Sequence, residues 1–367
     1  MKRQIRWSAA VLAAALLVGG TVLPVGTGYA ANIEKKVKSG SNIVTLKFNG
    51  VIKEQPGLLE EGKVLVPVTF LRDVLKMPLS YDSTNKIYSL GEGYRQLNLS
   101  VFAEGVSSEI NGFYLKDDQA KLVNGRLYIP FQWVKNYLGY QGDWSAATKR
   151  LNIMPIKENQ LTLTTATTTE ESDDVTINLM YPQVSNTGNT EAENAINEIL
   201  KQDALTFKDS IDKQMKERNE VQEIGLQALQ YEFDSNFVVT YNQNGVLSLI
   251  TQQYEYTGGA HGMSYRKGYT FSLKDGKLLS LEDLFGKDAS YEKQLNQKVK
   301  VQLHATPGYF GGFEKLGDQP DFYLQQGELK VFFQLYEYTP YAAGFPELTF
   351  PFSSLLPKGS SPFDSLK

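Results

Sequence analysis

The pattern of hydrophobic and polar residues predicts long helices and strands in the second half of the chain. Between Glu191 and Arg218, apolar residues recur every three or four positions, which predicts an amphipathic helix. Thr190 and Glu193 fit a capping box at its start. The same spacing from Tyr291 to Leu303 predicts a second helix, which Pro307-Gly308 would stop.

Alternating residues around these helices predict strands joined by tight turns. The stretch "FVVTYNQNGVLSLITQQYEY" is expected to form a hairpin with Asn244-Gly245 at its turn, and Asp275-Gly276 and Gly327 mark two more. The Thr-rich and acidic stretch "NQLTLTTATTTEESDD" fits a linker by composition, although its alternation also fits a first strand. The second half therefore predicts an α+β domain with helices packed on an antiparallel sheet.

The first half contains two copies of one pattern. "GKVLVPVTFLRDVLKMPLSYDSTNKIYSL" begins at Gly62, and "GRLYIPFQWVKNYLGYQGDWSAATKRLNI" begins at Gly125; the two align without a gap. Each copy predicts a hairpin, an apolar strand, a short helix beginning at a proline, and a closing strand. The equivalent positions include Pro67 and Pro130, Phe70 and Trp133, Leu75 and Leu138, and Tyr81 and Trp144.

This duplicated pattern resembles the copper amine oxidase N-terminal-like domain, or stalk domain, of secreted Gram-positive proteins. The likeness covers about Val44 to Pro155 and rests on the motif G-[KR]-x-x-[VI]-P-x-x-[FW] in both copies. It implies a spacer or cell-surface module. No histidine occurs in this half, so the resemblance does not extend to copper chemistry.

The first thirty residues have the features of a secretory signal peptide. Three basic residues, the last of them Arg6, precede an apolar run from Ala9 to Val18, and Gly28-Tyr29-Ala30 supplies small residues for cleavage before Ala31. An uncleaved membrane anchor is the alternative. We expect a secreted protein, extracellular or cell-wall associated, with no membrane contact after cleavage. With no cysteine, it has no disulfides.

Composition argues against several classes of function. The formal net charge is −4 and no basic block occurs, which argues against nucleic-acid binding. The chain has only two histidines and no cysteine, so we expect no metal site and no cofactor. Neither a G-x-S-x-G motif nor a phosphate-binding loop occurs. We therefore expect no catalytic residues and a protein that is not an enzyme.

The two histidines are interpreted separately. His261 lies in "TGGAHG" between two predicted strands, where a ring hydrogen bond to the backbone would fix the turn. Contact with a partner is the second interpretation of His261, and catalysis is the third. His304 falls in the last turn of the second predicted helix, where an imidazole suits the negative end of the helix dipole.

A second resemblance covers the second half of the chain, from about Leu161 to Leu356. The stretches "YEYTGGAHGMSYRKGYTFSLKDGKLLSLEDLF" and "FYLQQGELKVFFQLYEYTPYAAGFPELTFPFSSL" resemble an extracellular domain of the DUF4163 and DUF3298 type. Lysozyme-sensing anti-sigma factors share that domain with the non-catalytic part of a peptidoglycan N-acetylglucosamine deacetylase. In the anti-sigma factors it binds lysozyme.

Two departures limit what this second resemblance implies. About eight residues precede the apolar run, so we expect no sigma-binding segment there, and we expect no metal-dependent catalytic domain after residue 357. The resemblance therefore implies a binding module alone. The predicted organisation is a signal peptide (1–30), a duplicated stalk domain (31–157), a linker or first strand (158–174), a recognition domain (175–357) and a tail (358–367).

We predict a secreted, non-catalytic cell-envelope protein whose partner is a lysozyme-like protein or peptidoglycan. The alternative is a cell-wall glycan hydrolase that uses an unidentified carboxylate pair. Two loops rich in aromatic residues and glycine supply the candidate contacts. These are Thr257, Gly258, Gly259, His261, Tyr265, Arg266, Tyr336, Tyr338, Tyr341 and Phe345. For the tyrosines, a half-buried cross-strand ladder is the other interpretation.

Overall fold

The computed structural model of the protein describes residues 42–116, 119–223, 229–286 and 289–366. The predicted signal peptide, and the predicted stalk domain up to residue 41, lie outside the described residues. Helices occur together with largely antiparallel sheets, so the predicted α+β class is confirmed. Among the described residues, no helix is both long and apolar enough to cross a membrane.

The described part of the stalk is built from short strands and two short helices. The strands are β1 (Ile43–Phe48), β2 (Val51–Ile52), β3 (Gly57–Glu60), β4 (Lys63–Pro67), β5 (Leu79–Asp82), β6 (Ile87–Leu90), β7 (Leu97–Val101), β8 (Val106–Ile110), β9 (Phe113–Tyr114), β10 (Lys121–Val123), β11 (Arg126–Pro130), β12 (Tyr140–Ser145) and β13 (Arg150–Pro155). The helices are α1 (Val68–Asp73) and α2 (Phe131–Tyr137). One sheet has the order β10-β11-β4-β3-β1-β13-β12 with β2 added to β1, and a second runs β5-β6-β7-β8-β9.

The two sequence copies are related in space as well. Equivalent strands β4 and β11 pair antiparallel, with Val66 opposite Ile129, its counterpart in the other copy. A local twofold axis therefore passes between these two residues. The copies differ at their closing strands, which are β6 in the first copy and β13 in the second. Strand β13 pairs directly with β1, whereas β7 lies between β6 and β8.

The second half of the chain adds two sheets and three helices. Its elements are β14 (Thr162–Glu171), β15 (Val175–Ser185), α3 (Thr190–Glu223), β16 (Tyr231–Gln243), β17 (Val246–Tyr256), β18 (Met263–Ser272), α4 (Leu281–Phe285), α5 (Ala289–Ala305), β19 (Phe322–Gln325), β20 (Glu328–Phe332) and β21 (Glu347–Pro351). The larger sheet has the order β14-β15-β16-β17-β18, and the smaller one β19-β20-β21. Residues 162–171 of the Thr-rich stretch thus form an edge strand paired with β15.

Helix α3 connects β15 to β16, which is the one parallel pair in the larger sheet. The predicted capping residue is wrong by one position. Asn189, not Thr190, accepts backbone hydrogen bonds from Glu191 (3.1 Å) and Ala192 (3.2 Å). The carboxylate of Glu193 instead accepts from the backbone and hydroxyl of Thr187.

The central strands β16 and β17 are covered on both faces. All eight residues from Ser235 to Asn242 are buried. On one face, Phe237 and Leu247 pack in a cluster with Ile196 of helix α3. On the other face, the paired residues Val238 and Ile250 belong to the hydrophobic core of the stalk.

The stalk and the second half therefore share a core instead of standing apart. Trp133 and Val134 of helix α2 lie in the same buried cluster as Val238, Ile250, Tyr323 and Phe332. The described residues belong to one compact unit. The remaining helices, α4 and α5, pack on the smaller sheet in a separate cluster that includes Leu295, Val299 and Phe350.

This shared core predicts that the two halves unfold together. Beyond the predicted signal peptide, the two tryptophans are Trp133, which lies on the stalk side of the shared core, and Trp144 on β12, so tryptophan fluorescence reports on the stalk and that core. Circular dichroism at the helical band reports mainly on α3 and α5. The substitution Ile250→Ala removes core volume on the sheet side and should cost about 2–5 kcal/mol. We expect both signals to shift to the same lower midpoint.

Two separate transitions in the unsubstituted protein would contradict this prediction. A shift in circular dichroism with an unchanged fluorescence midpoint would contradict it as well.

Candidate functional site

The loop around His261 connects β17 to β18. Gly258 and Gly259 both have φ near +100°, which lets this loop turn where other residues would be strained. The Nδ1 atom of His261 lies 2.8 Å from the carbonyl oxygen of Gly262. Because a carbonyl only accepts, Nδ1 carries the proton, and Nε2 is left to accept from the hydroxyl of Tyr336 at 3.3 Å. The hydrogen bond to the backbone is the one expected from the sequence.

The second predicted loop meets the first one at this histidine. The ring of Tyr341 stacks on His261 with centres 4.0 Å apart, and its hydroxyl donates to the carbonyl of Gly262 at 2.9 Å. Tyr336 lies 5.6 Å from Tyr341 between ring centres and is 49% exposed. The backbone of Tyr336 has φ +66°, an uncommon value for a residue with a side chain.

Two tyrosines of β17 extend this surface. A Cβ atom on Gly262 would overlap the ring of Tyr254. Residue 262 must therefore be glycine for the Tyr254 ring to pack against it. The hydroxyl of Tyr256 donates to the carbonyl of Gly259 at 3.2 Å. Both tyrosines lie on the face of β17 that also carries Ile250, because alternate strand residues share a face. We call Tyr254, Tyr256, His261, Tyr336 and Tyr341 the aromatic face.

A pair of carboxyl groups lies beside the aromatic face. Asp234 and Glu232 of β16 are opposite Tyr254 and Tyr256 in the sheet. Asn178 of β15 lies opposite Asp234 on the other side of the pair, so its side chain is on the same face of the sheet. Burial, followed by the charge of Glu232, raises the pKa of Asp234 to about 7. Asp234 therefore keeps its proton to a higher pH than an ordinary aspartic acid does.

The stalk supplies the opposite wall. Glu109 of β8 and Tyr114 of β9 are paired in the second stalk sheet, and Tyr114 is 51% exposed. Burial raises the pKa of Tyr114, and the charges of Glu109, Asp234 and Glu232 raise it further. These residues therefore lie within electrostatic reach of one another. We call the space bounded by Glu109, Tyr114, the carboxyl pair and the aromatic face the groove.

Arg266 and Phe345 lie at the junction with the stalk and outside the aromatic face. The guanidinium of Arg266 is 4.2 Å from the ring centre of Phe345 and 5.1 Å from that of Phe113 in the stalk. It donates to Gln252 at 3.1 Å and to Glu347 at 3.4 Å, and its side chain is 11% exposed. Arg266 therefore joins the stalk to both sheets of the second half.

The remaining predicted residues are divided between the loop, the core and the opposite face of the sheet. Thr257, Gly258 and Gly259 form the outer part of the His261 loop. Tyr338 packs against Phe333 and Phe313 in the core of the smaller sheet. Tyr265 lies on the far side of β18 from Arg266 and donates to Glu255 at 3.4 Å. The structure thus brings His261, Tyr336 and Tyr341 together but separates Tyr338 and Tyr265 from them.

The sequence analysis did not identify Tyr254, Tyr256, the carboxyl pair, Glu109 or Tyr114. Their only sequence signal is alternation in "YEFD" and "YEY", which does not show which face is open. The second histidine, His304, lies in the last turn of α5 and packs edge-on against Tyr309. Within the described ranges, no three His, Asp or Glu side chains are arranged to hold a metal ion.

Three family models match successive parts of the chain. They are the copper amine oxidase N-terminal domain (residues 47–153), deacetylase PdaC (residues 168–264) and the protein of unknown function DUF3298 (residues 282–353). The resemblances to the copper amine oxidase N-terminal domain, to a peptidoglycan deacetylase and to DUF3298 are confirmed. The deacetylase model spans α3, the hairpin of β16 and β17, and the His261 loop, so it includes the carboxyl pair.

One curated relative is the peptidoglycan-N-acetylmuramic acid deacetylase PdaC of Bacillus subtilis, 26% identical over 65 residues. Its name specifies N-acetylmuramic acid, whereas the sequence analysis named N-acetylglucosamine. The match covers 18% of this chain and 14% of the relative.

Two solved structures of the DUF3298 family are also similar to the chain. The one from Bacteroides fragilis is 20% identical with a TM-score of 0.41, and covers 57% of this chain and 99% of its own. The one from Pseudomonas aeruginosa is 17% identical with a TM-score of 0.38, and covers 55% of this chain and 98% of its own.

The carboxyl pair predicts an unusual dependence of stability on pH. A carboxyl whose pKa is about 7 when folded and about 4 when unfolded loses stability as pH rises between those values. The substitution Asp234→Asn removes this loss. We expect it to raise the free energy of unfolding by about 1–3 kcal/mol at about pH 8 and to change it little at about pH 4.

Denaturant unfolding at the two pH values measures this difference. The exposed carboxylate of Asp143 on β12 provides the control, because Asp143→Asn should change stability equally little at both. A destabilisation by Asp234→Asn at the higher pH would contradict the prediction.

Arg266 predicts a separate effect on stability. The substitution Arg266→Ala removes one of two cations beside Glu347, leaving Lys330, and also removes the ring contacts, so it should cost about 1–3 kcal/mol. Arg266→Lys keeps the charge but loses the planar stacking, so it should restore only part of the stability that Arg266→Ala loses. Lys213→Ala on α3 removes an exposed ion pair with Glu217 and should cost under about 1 kcal/mol. Equal costs for Arg266→Ala and Lys213→Ala in thermal unfolding would contradict this.

Proposed function

We propose that this protein is a secreted, non-catalytic cell-envelope protein that binds peptidoglycan in the groove. The observation that carries the proposal is the aromatic face, whose members converge from two loops and one strand onto an open surface. Sugar rings stack on such aromatic faces, and the neighbouring carboxyl and amide groups can hydrogen bond sugar hydroxyls and amides. The aromatic side chains are already held by mutual contacts, so little conformational entropy is lost on binding.

The comparisons support a ligand in the cell wall. The relative PdaC is named for an activity on peptidoglycan, and the match to its family model includes the carboxyl pair and the His261 loop. The predicted signal peptide supports secretion, which the proposed ligand requires.

The hydrogen bonds of His261 support a non-catalytic role. Its two ring nitrogens have the carbonyl of Gly262 and the hydroxyl of Tyr336 as partners, which argues against a role for His261 as a general base.

A lysozyme-like protein is a second candidate ligand. The groove is bounded by the acidic side chains of Glu109, Glu232 and Asp234, and tyrosines form most of the aromatic face. Acidic side chains attract a basic protein, and tyrosines supply rigid contact area at an interface. The same residues would then contact a cationic protein in place of the polymer.

Co-sedimentation of the protein from Ala31 to Lys367 with purified sacculi tests the proposal, and capture by immobilised hen lysozyme tests the second candidate. We expect sacculi to bind the protein. The double substitution Tyr336→Ala and Tyr341→Ala should weaken binding at least about tenfold. Tyr265→Ala is the matched control: it removes a tyrosine of similar exposure (44%) on the opposite face of the sheet, and should leave binding unchanged.

Two results would overturn the proposal. One is equal binding of sacculi by the protein and its double variant when both are folded. The other is release of soluble muropeptides from sacculi by the protein, because that would show an enzyme. Capture by lysozyme without binding to sacculi would favour the second candidate.

A further inference from the structure

A cavity lies between helix α2 of the stalk and the larger sheet. Asn136 of the helix lines it together with Ile250 and Arg266 of the sheet, and so does Tyr114, which also bounds the groove. Ile250 precedes Tyr254 of the aromatic face by four residues on the same side of β17, which is about 13 Å along the strand. The cavity and the aromatic face therefore lie along one face of the sheet, where a single glycan chain can reach both.

The size of the cavity limits what can enter it. Including its open mouth, the space measures about 510 Å³, but only about 50 Å³ is open to the centres of water-sized groups. That is room for about four non-hydrogen atoms. Three of the lining residues, Tyr114, Lys116 and Gln132, are exposed, so the cavity opens to solvent. It can therefore take a small substituent of a ligand but not a whole sugar ring.

The buried charges of the cavity are already paired with each other. Arg266 and Glu347 both line it and form an ion pair at 3.4 Å, and Lys330 adds a second cation 3.8 Å from Glu347. An entering anion would meet the carboxylate of Glu347, and an entering cation would meet the guanidinium of Arg266. Either repulsion acts where water is largely excluded, so it is weakly screened. The cavity therefore favours a neutral group.

Two side-chain amides of α2 supply the hydrogen bonds that a neutral group needs. Gln132 and Asn136 both line the cavity, are one helical turn apart, and are joined by a hydrogen bond of 3.0 Å from Nε2 of Gln132 to Oδ1 of Asn136. Within the described part of the chain, Oε1 of Gln132 and Nδ2 of Asn136 have no further partner. One free acceptor beside one free donor complements the N–H and C=O of an amide.

The inner wall of the cavity is apolar. Phe113 and Trp133 are 6% and 3% exposed, and Leu115 and Ile250 are buried as well. These side chains offer no hydrogen bonds to water but gain from contact with a methyl group. A methyl group joined to an amide is an acetamido group, which has four non-hydrogen atoms and so matches the size of the cavity.

We propose that this cavity binds the acetamido group of an N-acetylated amino sugar. This inference rests on the proposed function and names the group of the wall polymer that is recognised next to the aromatic face. The acetamido N–H donates to Oε1 of Gln132, Nδ2 of Asn136 donates to the acetamido oxygen, and the methyl group packs against Phe113 and Trp133. An amide within a peptide chain continues on both sides, so it is too large for a cavity of this size.

Calorimetric titrations of the protein from Ala31 to Lys367 test this inference with two neutral tetrasaccharides. Tetra-N-acetylglucosamine carries acetamido groups, and cellotetraose has the same β-1,4-linked rings with hydroxyl groups in their place. We expect the acetylated probe to bind at least about tenfold more tightly, because cellotetraose leaves the cavity unfilled and its amides without partners. An N-propionylated tetrasaccharide has one carbon too many for the cavity and should bind at least about fivefold more weakly than the acetylated one.

Substitutions on α2 separate acetamido recognition from general binding. The double substitution Gln132→Ala and Asn136→Ala should reduce the preference for the acetylated probe at least about fivefold, while sacculi still bind through the aromatic face. Asn136→Asp keeps the size but replaces the donor with an acceptor, so it should reduce the preference as well and provides a second variant if the first has a lower unfolding midpoint. The matched control is Gln294→Ala with Gln297→Ala, which removes two exposed amides from α5 and should keep the preference.

Saturation-transfer NMR gives an independent measurement on the same samples. Saturation of the protein should pass most strongly to the acetyl methyl protons of tetra-N-acetylglucosamine, because the cavity encloses them. The transfer to these protons should fall in the double variant of α2. Strong transfer to the ring protons with little to the methyl protons would overturn the inference.

Equal affinity for tetra-N-acetylglucosamine and cellotetraose would also overturn the inference, and so would an undiminished preference in the double variant of α2. In both cases the proposed function survives if the same samples bind sacculi. Tighter binding of an alanine-containing stem tetrapeptide than of the acetylated tetrasaccharide would overturn the inference in favour of a peptide amide. Failure to bind sacculi or any probe would overturn both the inference and the proposed function.

Discussion

Burial of β16 and β17 on both faces is the constraint on which the rest of the structure depends. A strand in an antiparallel sheet commonly has one face in a core and the other in water, but these two strands have helix α3 on one side and the stalk on the other. Val238 and Ile250 would be exposed if the stalk were removed. The stalk is therefore part of the hydrophobic core that holds the larger sheet together.

The groove exists because this cover is incomplete. The stalk lies over Val238 and Ile250 and ends near Glu109 and Tyr114, while β16 and β17 continue beyond it. The same face of the sheet thus changes from apolar to polar along one strand, from Val238 through Asn236 to the carboxyl pair. The carboxyl groups lie where the stalk limits their access to water, which is the physical reason for the raised pKa of Asp234.

Much of the fold could be predicted from sequence because its signals are local. Hydrophobic periodicity predicted α3 and α5, Asn-Gly and Asp-Gly pairs predicted turns, and the duplication followed from two aligned stretches. The loop containing His261 was also located, and its hydrogen bond to the backbone was anticipated. Each of these features depends on residues close together in the chain.

The groove could not be predicted because it depends on distant contacts and on one irregularity. A β-bulge near Thr240 shifts the pairing of β16 with β17 by one residue. Counting back from the turn at Asn244-Gly245 without the bulge would place Asp234 opposite Glu255, whereas it lies opposite Tyr254. A shift of one residue moves a side chain to the other face of a sheet, so the acid and the tyrosine would have been assigned to different surfaces.

The pairing of β4 with β11 has a consequence for the origin of the stalk. Each of these strands belongs to one copy of the repeat, and each completes the sheet of the other about a local twofold axis. A solitary copy would leave this strand edge unpaired, and two separate molecules could satisfy it only by associating with the same symmetry. Duplication within one polypeptide has thus turned what would be a homodimer interface into an internal one, and the two copies were then free to diverge, one of them to meet the larger sheet through Trp133.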